Sequence, residues 1–213
     1  MEPLEILSRL GALQTGHFRL ASGRHSDRYM QCARLFEHPA ESAELCAELA
    51  PAFKKPGLRI DAVAGPALGG IIMAYEVARA LGVRSIFAER EGGAMKLRRG
   101  FKVSRGERVL VVEDVVTTGG SVKEVITLLR GMGAEIAGVG SVVDRSAGKV
   151  DFGVTFHSLV SMDIKSWDEG ECPMCREGMA IVKPGSGAAV NTKNPQEKNK
   201  RLSVTVCENS VKL

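Results

Sequence analysis

Long apolar runs are missing from this chain of 213 residues, and with them most of the signals that would place it in or beyond a membrane. No hydrophobic stretch approaches the roughly 20 residues that a bilayer-spanning helix needs, so no membrane partner is expected. Aromatic residues make up only 5% of the sequence. The formal charge of +4 therefore comes without the basic and aromatic interleaving of a nucleic-acid groove, and the lysines and arginines are better read locally, as an anion site. Met1-Glu2-Pro3-Leu4-Glu5 lacks the basic start of a secretory signal, so a cytoplasmic location is expected. Five cysteines, an odd number, make no disulfide framework and suit a reducing compartment.

What the chain does have is concentrated in Val109-Leu110-Val111-Val112-Glu113-Asp114-Val115-Val116-Thr117-Thr118-Gly119-Gly120-Ser121. Four apolar β-formers run into two carboxylates, then a Thr/Gly turn, then a helix with Val122, Val125, Ile126 and Leu129 on one face. Ser121 followed by Glu124 reads as a capping box that starts this helix. Bare N–H groups at a helix start attract anions, and glycines let a phosphate approach the main chain. Glu113 and Asp114 cannot serve the phosphate, because like charges repel; they suit sugar hydroxyls or a metal-bound group beside it.

Along the chain, residues 4–13 and 41–53 read as helices, and 18–35 as short antiparallel strands. Strands are expected at 60–64, 85–88, 109–112, 136–143 and 154–159, with a helix over 71–81. Strands alternating with helices imply an α/β fold: a central, mainly parallel sheet with helices on both faces. Ligands of such sheets bind outside the carboxyl ends of the strands, so the turn 65–70 and the loop 113–121 are expected to share one cleft. Close packing of helix on strand is the other reading of Gly69-Gly70. Residues 89–103 show neither helical nor strand periodicity, carry glycines near both ends and gather Arg90, Lys96, Arg98 and Arg99. Between a sheet strand and the phosphate-loop strand, such a segment reads as a lid over pyrophosphate rather than a merely solvated hairpin.

The strand, acid pair and Thr/Gly/Ser turn resemble the donor loop of the type I phosphoribosyltransferases. Five further fragments occur in the order seen in the orotate-specific branch of that family: Ser22-Gly23-Arg24-His25-Ser26-Asp27-Arg28-Tyr29, Ala64-Gly65-Pro66-Ala67-Leu68-Gly69-Gly70, Ala88-Glu89-Arg90-Glu91, Arg98-Arg99-Gly100-Phe101 and Val143-Asp144-Arg145-Ser146. The resemblance covers roughly the first 187 residues and implies the type I fold, with a hood over 1–36 and a core over 37–187. It implies transfer of a phosphoribosyl group from phosphoribosyl pyrophosphate to orotate, giving orotidine monophosphate and pyrophosphate in pyrimidine biosynthesis. A purine phosphoribosyltransferase, or a non-catalytic sensor of phosphoribosyl pyrophosphate, would share the donor loop and stand as alternatives.

The resemblance also implies roles. Lys96, Arg98 and Asp114 are the expected catalytic residues. Arg90, Lys96, Glu113, Asp114, Val115, Val116, Thr117, Thr118, Gly119, Gly120 and Ser121 are expected to bind phosphoribosyl pyrophosphate, and Thr117, Arg145, Ser22 and Gly23 to bind orotate. Mg²⁺ is expected as the cofactor, held mainly by the substrate rather than by protein ligands. A homodimer is implied, each lid reaching into the neighbouring subunit's site. The chain departs from the family's best-known branch at Gly69 and His25, where that branch carries lysines; a protonated His25 could replace one of them weakly.

Cys172-Pro173-Met174-Cys175 invites a zinc or redox reading, but no second such motif and no nearby histidine pair is visible in the sequence to complete four ligands. Only Cys32, Cys46, Cys207 or a copy from a second subunit would be available. The favoured reading is a tight turn with buried thiols. After residue 187 the chain turns polar and aperiodic, so 188–213 is expected to be a disordered tail, with a possible short strand at 202–206.

Overall fold

The computed structural model describes residues 2–184. The expected tail at 188–213 lies outside the described residues. A short helix, α1 (Pro3–Arg9), leads into a two-stranded antiparallel hairpin, β1 (Leu13–Arg19) and β2 (His25–Met30), which forms a sheet of its own. Helix α1 is shorter than expected, because Gly11 turns the chain at φ +66 and Leu13 already belongs to β1. Helix α2 (Pro39–Leu49) follows and tightens into a 3-10 turn over Ala50–Phe53.

The main sheet comprises β3 (Ala62–Pro66), β4 (Arg84–Glu91), β5 (Ala94–Leu97), β6 (Arg108–Val116), β7 (Glu135–Asp144) and β8 (Phe156–Ser161), in the order β5-β4-β3-β6-β7-β8. Only the β4–β5 pair is antiparallel. Helices α3 (Gly69–Leu81) and α4 (Gly120–Gly131) connect β3 to β4 and β6 to β7. Val109, Leu110, Val111 and Val112 are all fully buried, as a strand covered on both faces requires. Their alternation sorts them by face. Leu110 and Val112 pack with Val63 and with Leu45, Leu49, Met73 and Val77 of α2 and α3. Val109 and Val111 pack with Ala62, Ala64 and the Val122, Val125, Ile126 and Leu129 face of α4.

Three further expectations need correction. Strand β6 does not end at the acids: β7 continues to Asp144, and pairing of Glu113 with Ser141 and Val115 with Val143 carries the ladder past them. Helix α4 has no capping box. Its N-cap is Gly119, without a side-chain cap, Ser121 lies inside the first turn, and the Glu124 carboxylate accepts from Arg90 instead. The segment after β4 is an ordered hairpin, with Ala88 opposite Leu97 and Glu91 opposite Ala94. Gly92 and Gly93 both take positive φ, 60 and 82, as a tight two-residue hairpin turn demands.

Candidate active site

The carboxyl ends of β3, β6 and β7 meet at one cleft, and the close approach between the first two depends on a glycine. A Cβ at Gly69 would lie 2.5 Å from Asp114 Oδ2, so the acid occupies the space a side chain there would need. Gly70 has a packing role as well, since a Cβ on it would lie 2.8 Å from Pro66 Cδ. The close-packing reading of this glycine pair therefore holds, and the turn lies against the acid pair.

The loop between β6 and α4 is built for an anion. Gly119 sits at φ +72, and a Cβ on it would strike Val150 Cγ1 at 2.7 Å and Phe152 Cε1 at 2.8 Å. Both strain and contact therefore require glycine here. With no side chain capping α4, its first N–H groups remain open to a ligand. Glu113 and residues 115–122 line a cavity of about 210 Å³. Thr117, Thr118 and Gly120 are exposed around it. A larger cavity, about 470 Å³, lies at the opposite, amino end of the strands among Arg59, Asp61, Arg84 and Glu107. There Arg59 pairs with Asp61 and Arg84 with Glu107.

Asp114 Oδ1 accepts from the Val115 N–H at 2.8 Å. Glu113 is partly buried, and burial first, then the Asp114 charge, pushes its carboxyl up to about 9. A group whose folded value exceeds its unfolded 4.5 is neutral in the fold and charged in the unfolded chain between those limits. Stability is then lost as pH rises through that window, with a slope of at most about 1.4 kcal/mol per pH unit. Glu113→Gln should match the wild type in thermal unfolding near pH 4 and exceed it increasingly toward pH 9. A gap that does not change with pH would show that Glu113 ionises normally.

Arg145 follows β7 directly, and its backbone N–H donates to the Val116 carbonyl at 2.7 Å. The preceding Asp144 is not its surface partner: it is 3% exposed and accepts from the Ser146 and Gly148 N–H groups at 2.7 and 2.8 Å. Asp144 thus shapes the turn and leaves the guanidinium to other partners. Arg145 is half-buried, its Nε is buried without a hydrogen-bond partner among the described residues, and burial lowers its pKa. Tyr29 of β2 and Cys32 are its electrostatic neighbours, and Cys32 also feels Asp114 and Glu113. Arg145, the acid pair and the chain around Tyr29 and Cys32 therefore lie near one another.

The basic hairpin is placed beside the loop but holds its charges elsewhere. Arg90 bonds Glu124 on α4 at 2.7 Å, Lys96 bonds Glu91 at 2.8 Å, Arg98 pairs with Glu91 at 3.1 Å and Arg99 with Glu89 at 3.0 Å. None of these cations forms a hydrogen bond or ion pair with residues 117–121. Exposed pairs of this kind are worth only about 0–1 kcal/mol each, so exchanging them for a phosphate costs little. Ser22 and Gly23 sit at the exposed tip of the β1–β2 turn, where their hydrogen bonds stay within 20–24. His25 does not face the phosphate loop: it is 1% exposed and its Nδ1 lies 3.0 Å from His17 Nε2. The expected compensation for a missing lysine is thereby withdrawn.

A family model described as the phosphoribosyl transferase domain matches residues 33–172, which contain the acid pair, the phosphate loop, the hairpin and Arg145. The chain is 62% identical to the orotate phosphoribosyltransferase of Caldanaerobacter subterraneus subsp. tengcongensis over 183 residues, 86% of this chain and 95% of that one. It belongs to the orotate phosphoribosyltransferase family. The family's Thermotoga maritima member is 58% identical over 85% of this chain and 96% of its own. Among solved structures, the orotate phosphoribosyltransferase of Aeropyrum pernix superposes with a TM-score of 0.63 at 28% identity, covering 76% of this chain and 94% of that one. The type I fold expected of the family, a mainly parallel sheet with helices on both faces, is the fold described above.

Proposed function

We propose that this chain transfers the phosphoribosyl group of phosphoribosyl pyrophosphate to orotate, releasing orotidine monophosphate and pyrophosphate for pyrimidine nucleotide synthesis. The observation that carries this reading is Arg145, a half-buried guanidinium with an unpartnered donor, bordering the same cleft as an uncapped phosphate loop. Orotate is a planar anion, and its carboxylate matches a guanidinium fork. Thr117, Ser22 and Gly23 would complete the base site, the latter two after the β1–β2 turn moves inward.

In the reaction the bond from the anomeric carbon to pyrophosphate breaks, a ring nitrogen of the pyrimidine bonds to that carbon, and the nitrogen's proton leaves. The sugar passes through oxocarbenium character while charge gathers on the departing pyrophosphate. Val115, Val116, Thr117, Thr118, Gly119, Gly120 and Ser121 would hold the 5-phosphate. Glu113 and Asp114 would accept from the ribose hydroxyls, and their negative charge favours a cationic ring. A cationic sugar beside Glu113 would draw its proton off. Lys96, Arg98 and Arg90 of the hairpin would close on the pyrophosphate and exclude water.

The cleft's donors, two carboxylates and threonine hydroxyls, are all oxygen, and such a set suits a hard cation such as Mg²⁺. It would be held mainly by pyrophosphate and ribose oxygens, with Glu113 and Asp114 on the sugar side. When bound it neutralises charge on the leaving group. A homodimer in which each hairpin serves the neighbouring site is part of the proposal, as is a cytoplasmic location. No helix among the described residues is long and apolar enough to cross a membrane.

The decisive assay follows pyrophosphate release with orotate, uracil, hypoxanthine and adenine, each with phosphoribosyl pyrophosphate and Mg²⁺. Turnover with orotate alone is expected. Turnover with a purine base and none with orotate would overturn the reading.

A further inference from the structure

Two histidines that look unrelated to the Cys172/Cys175 motif in sequence lie against it in the fold. The β1–β2 register changes between Thr15 and Phe18, where β1 carries one extra residue, and Arg19 pairs with His25. His17 stands two residues before Arg19, so the two imidazoles share a face of the hairpin. Cys172 precedes the helical turn α5 (Pro173–Arg176), and Cys175 lies within it. One ligand atom from each of His17, His25, Cys172 and Cys175 falls within 4.8 Å of all the others. Three of these residues, His17, His25 and Cys175, lie outside the segment 33–172 that the family model matches.

From this cluster we propose that His17, His25, Cys172 and Cys175 bind one Zn²⁺ ion that fastens the hood hairpin to the segment following β8. Bonds of about 2.0–2.1 Å to nitrogen and about 2.3 Å to sulfur, at tetrahedral angles, put ligand atoms roughly 3.3 Å apart for two nitrogens and roughly 3.5 Å apart for nitrogen and sulfur. The observed separations are 3.0 Å between His17 Nε2 and His25 Nδ1, 3.2 Å between His25 Nδ1 and Cys175 Sγ, and 3.5 and 3.6 Å from His17 Nε2 to Cys172 Sγ and Cys175 Sγ.

The orientation of His17 is set from behind. Its Nδ1 lies 2.9 Å from the Met179 carbonyl, which can only accept, so Nδ1 carries the proton and Nε2 presents its lone pair to the cluster. A backbone carbonyl behind the imidazole is the usual support of a metal-bound histidine. Charge fits as well: two thiolates balance a divalent ion, so the filled site is neutral and tolerates its burial, with His17, His25 and Cys172 at 2%, 1% and 0% exposure. Two sulfurs and two imidazole nitrogens select zinc over oxygen-seeking Mg²⁺ and Ca²⁺. Four protein ligands leave no open position, which marks a structural rather than a catalytic ion.

The ion would complete an existing seam. His25 and Trp167 exchange backbone bonds at 2.8 and 2.9 Å, Arg24 reaches Ser166 and Asp168, and Val182 pairs with both His17 and Arg19. The same hairpin carries Ser22 and Gly23 at its tip and Tyr29 near Arg145, so the clamp would hold the hood against the cleft.

The test uses the full chain, purified under reducing conditions and analysed for metal by plasma mass spectrometry. About one zinc per chain is expected. Replacement by Co²⁺ should give the visible ligand-field bands of a tetrahedral ion together with thiolate charge-transfer absorption. Cys175→Ser and His17→Gln should each weaken retention against a chelator by more than roughly tenfold. Metal removal should lower the unfolding temperature, and Zn²⁺ but not Mg²⁺ should restore it. The proposal is overturned if the wild type is zinc-free both as purified and after refolding with Zn²⁺. Full zinc in a Cys172→Ser/Cys175→Ser double variant, or a Cys172–Cys175 disulfide in protein kept reduced, would overturn it too. Should the variants fail to fold, zinc stoichiometry and the Co²⁺ spectrum of the wild type still decide.

Discussion

Arg145→Ala should raise the Michaelis constant for orotate on the order of ten- to a hundredfold while leaving that for phosphoribosyl pyrophosphate nearly unchanged. A charge-assisted hydrogen bond is worth roughly 1.5–3 kcal/mol when its partner would otherwise stay unpaired. The half-buried guanidinium already bears the desolvation, since its Nε has no hydrogen-bond partner among the described residues. Its removal should not disturb the turn, which Asp144 holds through Ser146 and Gly148. Steady-state kinetics with each substrate varied in turn give the answer. Equal increases for both substrates would make Arg145 a structural residue, and Arg145→Lys should recover little, because an ammonium cannot reproduce the planar fork.

Arg145 is named in the sequence by the family resemblance, whose fragment Val143-Asp144-Arg145-Ser146 is contiguous. The phosphate loop was legible for the same reason, since the run 109–112, the acid pair and the glycines are contiguous, and α4 repeats its apolar residues on one face. What could not be read depends on partners distant in sequence. The length of β6 is set by β7, whose pairing carries it past the acids to Val116. Strand β5 has four residues and one buried side chain, Met95, too few to display a period. Its existence rests on the glycine turn at 92–93 and on pairing with β4. The capping-box reading failed by two positions, because Gly119 takes the cap and leaves the amides uncovered. Cys172 and His17 are 155 residues apart, and no spacing rule links a Cys-x-x-Cys turn to two histidines of a bulged hairpin. A comparable separation hides from the sequence that His25, read as a weak replacement for a missing lysine, lies buried beside Cys175.

Lys96→Ala is expected to cut turnover on the order of a hundred- to a thousandfold with little change in ground-state affinity for phosphoribosyl pyrophosphate. Lys96 is exposed and paired only with Glu91 of its own hairpin. It therefore gives nothing to the phosphate loop until the hairpin moves, and a contact made only as charge develops on pyrophosphate appears in the rate of the chemical step. Equilibrium binding and single-turnover rates, measured side by side, separate the two effects. Subunit mixing then reports which chain the hairpin serves. When Lys96→Ala and Asp114→Asn chains are combined, random reassortment makes about half the dimers mixed. In a closed two-fold dimer with exchanged hairpins, each mixed dimer holds one intact site of two, so activity should recover to roughly a quarter of the wild-type value. If the hairpin closes over its own chain, every site in the mixed dimer lacks either Lys96 or Asp114, and no activity returns. That outcome, after verified exchange, would leave the phosphate loop and Arg145 in their proposed roles and remove only the crossing of the hairpin between subunits.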